Sequence, residues 1–212
     1  MGRHRWIARE GHPFIIIAAL VAVGVALIQG ACLSLLFFLL FVLILNFFRN
    51  PERIIPEDPN IILCPADGKV VAVEEIEESR FLPGRCRRVC IFMNPFNVHV
   101  NRAPMDAVVA KIQYNPGRFG AAFSPKASLE NEQSAMTLDT PHGRIVVNQI
   151  AGLLVRRIVL YVTVGDALKR GQRFGMISFG SRVDIYFPTE WKVPLRVGQK
   201  ALAGETPLAY IK

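Results

Sequence analysis

Three short stretches of this chain carry side chains that could act together on a carbonyl or a carboxylate. In "ISFGSRVD" (177–184), Gly180-Ser181 interrupts a run otherwise rich in strand formers. Glycine weakens a strand, because it adds no packing surface and loses the most backbone entropy on ordering. One reading is a bulge or bend. The other is a self-attack site, since a glycine carbonyl without a neighbouring Cβ lies next to a serine hydroxyl. In "FMNPFNVHVNRAP" (92–104), His99 stands near Asn97, Asn101 and Arg102 and alternates with Val98 and Val100, so it points away from their face. In "PADGKV" (65–70), Asp67 precedes a glycine, a pair that also suits a tight hairpin turn. A serine, a histidine and an aspartate together can supply a nucleophile, a base and an orienting carboxylate. The Gly-x-Ser-x-Gly elbow of serine hydrolases is absent.

The elements that must position these residues read as mainly β. Runs at 69–76, 88–93, 108–114, 135–140, 144–152 and 157–164 are rich in β-branched residues, with Pro, Gly, Asn or Asp in most gaps. Short strands at this spacing suggest a barrel or sandwich. Helical content should be small, with residues 123–133 as one candidate for a short helix or ordered loop. A weak repeat sharpens the fold class: "VGDALKRGQRFGMI" (164–177) and "VGQKALAGETPLAYI" (197–211) both read Val-Gly, a second Gly six positions on, then an apolar strand. This resembles the turn-and-strand pattern of biotinyl/lipoyl-type barrel-sandwich domains, although no lipoyl-accepting lysine sits in the expected hairpin.

Ahead of this part lie two apolar runs, 14–29 and 33–48, separated by Gly30-Ala31-Cys32. Together they are too long for one span, since about 20 residues cross the hydrocarbon core. Arg3, Arg5 and Arg9 precede the pair, and Arg49 and Arg53 follow it, which favours both ends on the cytoplasmic side. The expectation is a helical hairpin over residues 1–49, either spanning or deeply inserted, followed by a β-rich catalytic domain over 50–212. A cleaved signal peptide fits less well, because the apolar region is twice the usual length and lacks a clear small-residue cleavage site.

Twenty-five Lys and Arg against seventeen Asp and Glu leave a formal charge of +8. With a hydrophobic anchor and no basic tract with interleaved aromatics, an anionic membrane is the simpler partner than nucleic acid. Four cysteines without a C-x-x-C pair support neither a zinc site nor a disulfide framework. Reduced, buried thiols are expected.

The stretches "FFRNPER", "PADGKV", "MNPFNVHVNRAP", "YNPG", "QIAG", "VGDALKRGQRFGMISFGSRVD" and "IYFP" occur in this order in proteins that the chain resembles: the short, membrane-anchored phosphatidylserine decarboxylase proenzymes of prokaryotes. The resemblance covers nearly the whole chain. It implies self-cleavage at Gly180-Ser181 into a β chain (1–180) and an α chain (181–212) that stay together as a heterodimer, with higher assembly left open. The Ser181 hydroxyl would attack the Gly180 carbonyl to give an ester. β-Elimination would leave dehydroalanine at 181, and tautomerisation to the imine with hydrolytic loss of ammonia would give an N-terminal pyruvoyl group. That cofactor would form a Schiff base with the serine amine of phosphatidylserine and accept electrons as CO2 leaves, giving phosphatidylethanolamine.

The same resemblance makes Asp67 the acidic residue of self-cleavage and His99 the candidate for proton transfer during decarboxylation. Longer family members carry a second histidine where this chain has Arg102. Either His99 serves both steps or self-cleavage uses another base. His142 reads as a turn residue. Arg102, Arg118, Lys126, Arg156 and Arg157 are candidate partners for the substrate's phosphate or carboxylate. "ENE" (130–132) sits where the family has Asn-Glu-Arg, with Gln133 replacing the arginine. No metal is expected. The rival from another class is a non-enzymatic, membrane-anchored barrel-sandwich adaptor.

Overall fold

A computed structural model describes residues 6–28, 30–78, 80–117, 131–152, 158–177 and 181–211. The chain forms two units, Met1–Glu52 and Arg53–Lys212. In the first, a 3-10 turn (Arg9–Gly11) leads into α1 (His12–Ile28), and α2 (Ala31–Phe47) returns antiparallel to it. The polar ends are tied together: the Ala8 N–H donates to the Phe48 carbonyl at 2.9 Å and the Asn50 N–H to the Trp6 carbonyl at 2.7 Å. Gly11 is needed there, because a Cβ would lie 2.4 Å from Phe48 Cγ. Arg9–Ile28 is long and apolar enough to cross a membrane. Leu20, Leu27, Leu35 and Phe38 stand exposed along the two helices.

The second unit is mainly β. Its strands are β1 (Ile61–Leu63), β2 (Gly68–Glu78), β3 (Gly84–Met93), β4 (Val100–Arg102), β5 (Ala107–Asn115), β6 (Gln133–Thr140) and β7 (Gly143–Ile150), followed by β8 (Ile158–Leu160), β9 (Ala167–Leu168), β10 (Arg173–Ile177), β11 (Ser181–Phe187), β12 (Lys200–Ala201) and β13 (Pro207–Tyr210). Eight form a curled sheet in the order β12-β2-β3-β11-β7-β6-β5-β9, three form a second sheet (β4-β10-β8), and β1 pairs with β13. Val70, Ile91, Val109, Leu138, Val147 and Val183 of the large sheet share one buried core with Phe174 and Ile177 of the small one.

The order of the large sheet is symmetric about the β11–β7 boundary. β12-β2-β3 on one side answers β9-β5-β6 on the other. The β2–β3 ladder is irregular between Val70 and Ala72, and the β5–β6 ladder at the equivalent step between Val109 and Lys111. The Leu63 N–H donates to the Pro104 carbonyl and the Arg102 N–H to the Pro65 carbonyl, both at 2.9 Å, a reciprocal pair across the two halves. The Val-Gly repeat is the C-terminal part of this symmetry. Gly165 and Gly198 both have φ +94°, and Gly171 and Gly204 have +76° and +77°, a region few other residues enter cheaply.

One expected strand is much shorter than its sequence suggests. Of the described residues 158–164 only Ile158–Leu160 form a strand, because Asp166 Oδ2 accepts the Thr163 N–H at 2.7 Å and its hydroxyl at 3.2 Å, closing a turn. Of 123–133, residues 123–130 lie outside the described ones, and Gln133 opens β6. All four cysteines are free, with Cys64, Cys86 and Cys90 buried. Burial pushes the Cys64 and Cys90 thiols up, and the nearby carboxylates of Asp67 and Asp184 add to the shift, so both stay protonated.

Candidate active site

Ser181 opens β11, which lies between β3 and β7 and is buried along its whole length. Alternation turns Ser181, Val183, Ile185 and Phe187 toward the main core and Arg182, Asp184 and Tyr186 to the other face. Ser181 is fully buried, and its hydroxyl has no hydrogen-bond partner among the described residues. An unsatisfied buried hydroxyl costs about 1–3 kcal/mol, so its retention calls for a chemical reason.

Ser181 pairs with Met93, and β3 pairs onward with β2 so that Lys69, Phe92 and Arg182 share one row. One row further, Gly68 falls level with Met93 and Ser181. Asp67 therefore lies at the same end of the sheet, two strand spacings or about 10 Å along it. Gly68 is required by close approach, because a Cβ there would meet the Phe92 carbonyl oxygen at 2.2 Å. The Asp-Gly pair is thus the entry to a strand rather than a hairpin turn. On the far side of β7 the row continues: the Ala151 N–H donates to the Glu132 carbonyl at 2.9 Å and Asn131 Nδ2 to the Ala151 carbonyl at 2.7 Å.

The Asp67 carboxylate is buried and held at both oxygens. Arg53 Nη2 donates to Oδ2 at 2.7 Å and the Ala203 N–H to Oδ1 at 2.8 Å. The symmetry-related Asp106 accepts the Arg170 N–H at 2.8 Å in the same way and Lys169 Nζ at 2.9 Å, but it is exposed. These contacts hold the Asp106 carboxyl below the usual carboxylate range, the Arg170 backbone bond contributing most. Asp67 therefore combines a scaffold position with a partly buried guanidinium partner that its counterpart lacks.

His99 is fully buried just ahead of β4. Its carbonyl accepts the Ile177 N–H at 3.3 Å, which joins it to the strand that runs toward Ser181. Its Nδ1 lies 2.9 Å from the Asn97 carbonyl oxygen. A carbonyl only accepts, so Nδ1 carries the proton, and in the neutral ring Nε2 is the basic nitrogen. Two residues on and on the same side of the backbone, Asn101 Nδ2 lies 3.8 Å from Met93 Sδ, and Asn101 Oδ1 accepts from Gln149 Nε2 at 2.8 Å. Contacts with Met93, the ladder partner of Ser181, thus tie the small sheet to the strand end that carries the serine.

Arg102 is buried rather than solvated. Its Nη1 donates to the Gly171 carbonyl at 2.8 Å, and a Cβ on Gly204 would lie 2.9 Å from its Cδ. His142 is an exposed turn residue whose N–H donates to Thr140 Oγ1. Gly180, Arg118, Lys126, Arg156 and Arg157 lie outside the described residues. Arg53 and Gln149 were not singled out by sequence as site residues. Both lie in quoted motifs, but their contacts cross 14 and 48 positions and leave no local pattern.

On the opposite face of β11, Arg182 makes a two-pronged bond to Asp184, Nε to Oδ1 at 2.7 Å and Nη2 to Oδ2 at 2.9 Å. Asn148 Nδ2 donates to Gln133 Oε1 at 2.7 Å beside it. These buried polar groups lock the central strand and its register.

A sequence model described as phosphatidylserine decarboxylase matches residues 40–209. Curated relatives called phosphatidylserine decarboxylase proenzyme are similar along nearly the full length. The one from Burkholderia cenocepacia is 46% identical over 210 residues, covering 99% of this chain and 98% of its own. Those from Burkholderia multivorans and Burkholderia vietnamiensis are 45% and 46% identical with the same coverage.

Proposed function

From the premise that this chain belongs to the phosphatidylserine decarboxylase family, and is accordingly a decarboxylase, we propose that it is made as a precursor and cuts itself between Gly180 and Ser181 to generate a pyruvoyl group at residue 181. The observation that carries this reading is the Ser181 hydroxyl: fully buried, without a partner among the described residues, at the first position of the central strand. The description of the relatives as proenzymes supports it.

In this reading Ser181 Oγ attacks the Gly180 carbonyl carbon and His99 Nε2 takes its proton. His99 is suited to the task because its Nδ1–H is spent on the Asn97 carbonyl. Asp67 is the acidic residue of self-cleavage, its carboxylate held by Arg53 Nη2 at 2.7 Å. The pyruvoyl ketone supplies an electron sink for loss of CO2. The buried surroundings of residue 181, with Met93 opposite and Val183 beyond, suit a carbonyl kept from bulk water. Arg102 donates to the Gly171 carbonyl and is a weaker candidate for binding substrate.

The α chain would contribute β11, β12 and β13, each paired with a strand of the upstream chain. The two chains then remain one body. The apolar hairpin keeps the enzyme on an anionic membrane that supplies phosphatidylserine, with the catalytic domain on the cytoplasmic side where the flanking arginines remain.

Intact mass and denaturing electrophoresis of purified protein test the proposal. Two chains are expected, one ending at Gly180 and one beginning with a blocked residue 181. Ser181→Ala should give a single chain that releases no CO2. A fully active, uncleaved chain would overturn it.

A further inference from the structure

We infer that the side-chain carbonyl of Gln149 receives an N–H of the substrate's amino group beside residue 181, an inference that rests on the reading above. Gln149 is 1% exposed and sits opposite Val183 in the β7–β11 ladder, on the interior face that also carries Ser181. Its amide orientation follows from its neighbours. Asn101 places Nδ2 by the Met93 sulfur, which can only accept, so Asn101 turns its oxygen to Gln149. Gln149 must then direct Nε2 to Asn101 at 2.8 Å, which leaves Oε1 facing elsewhere. That oxygen is buried and has no partner among the described residues.

Two unsatisfied buried oxygens, Ser181 Oγ and Gln149 Oε1, therefore occur on neighbouring positions of one face. The first is consumed when residue 181 is converted. The second is an acceptor without a donor among the described residues, and the donor that the reaction brings is an amine. A neutral amine has two N–H groups and one lone pair. Giving one N–H to Gln149 holds the amine beside residue 181 and leaves its lone pair free to meet the carbon there. An amide suits this better than a carboxylate, which would hold the amine as an ammonium and remove its nucleophilicity. Room for the amide is kept by Gly175, whose added Cβ would approach Gln149 Nε2 to 3.2 Å.

The test uses cleaved, full-length protein in detergent and compares wild type, Gln149→Leu and Gln149→Glu. Phenylhydrazine labelling of the chain that starts at residue 181, read by mass, counts the reactive carbonyl. Phosphatidylserine in mixed micelles with cyanoborohydride then reports how well the substrate amine engages it. Gln149→Leu should keep wild-type labelling by phenylhydrazine and lose about ten-fold in phospholipid adduct, the size expected for one buried hydrogen bond. Gln149→Glu should form the adduct only at higher pH than wild type. Equal adduct formation in Gln149→Leu, an unshifted pH profile in Gln149→Glu, or loss of cleavage in Gln149→Leu would each overturn the assignment. Wild-type protein that takes no phenylhydrazine would instead sink the pyruvoyl reading.

Discussion

The strand that carries Ser181 is held in place by a buried ion pair, and breaking that pair is the sharpest test of how the site is positioned. Arg182 and Asp184 are 4% and 0% exposed and joined by two bonds of 2.7 and 2.9 Å. Replacing Arg182 leaves the buried Asp184 carboxylate without its two-pronged partner, and breaking such a buried pair costs about 3–5 kcal/mol. A domain is stable by only about 5–15 kcal/mol, so Arg182→Met should remove about a fifth or more of the total. At roughly 2–4 °C per kcal/mol for a unit of this size, Tm should fall by about 6–20 °C. Replacing both partners, Arg182→Met with Asp184→Leu, removes the charge as well as the bond and should recover most of the loss. The measurement is thermal unfolding by near-ultraviolet circular dichroism in detergent, on a Ser181→Ala background so that one covalent chain is compared throughout. A single substitution that lowers Tm by less than about 2 °C, or a double one no better than the single, would refute the argument.

Gly175→Ala should cost about 1–3 kcal/mol, since its Cβ would sit 2.5 Å from the Val159 carbonyl oxygen; a Tm equal to that of wild type would contradict the packing. Asp67→Asn should slow self-cleavage by about 10²-fold or more, whereas Asp106→Asn, at the symmetry-related position, should cleave at the normal rate; electrophoresis over time separates the two. Asp106 also gives a pH signature. Its carboxyl is held below its ordinary range by the Arg170 N–H and then Lys169, so its stabilisation is present above the unfolded carboxylate value and is lost as pH falls through the lower folded one. Because the side chain is half-exposed, the effect is under about 1 kcal/mol. The gap in urea midpoint between wild type and Asp106→Asn should therefore be present at pH 6 and close in strong acid.

Much of the architecture is legible in the chain. The helical hairpin follows from composition, because two apolar runs of that length are separated by a short Gly30-Ala31-Cys32 break. Long strands such as β2 and β7 follow from β-branched runs. Two- and three-residue strands such as β4, β9 and β12 have no periodicity to read. The Val-Gly repeat reveals the C-terminal half of the internal symmetry. Its N-terminal half, 64–70 against 103–109, shares little beyond Pro, Asp and a final Val and passes unnoticed. Within the site, Ser181, His99 and Asp67 announce themselves by type and motif. What Asp67 and Asn101 are bonded to does not, because Arg53 and Gln149 reach them only through the fold. The burial of Arg102 is likewise a tertiary fact: a lone arginine in a polar stretch reads as a surface charge until a carbonyl is found beneath it.

The place of β11 between β3 and β7 also governs how the protein dies. In an uncut chain, an unfolded β11 remains tethered to its partners and can find its slot again. On the proposed cleavage the same strand belongs to a short free peptide, and recovery becomes a bimolecular search against dilution and aggregation. Thermal loss of the mature enzyme is then one-way in practice, and its useful lifetime is a rate set by the barrier to β11 leaving. Precursor and mature enzyme with nearly the same contacts should differ in one respect above all. The first refolds after heating and cooling, and the second does not.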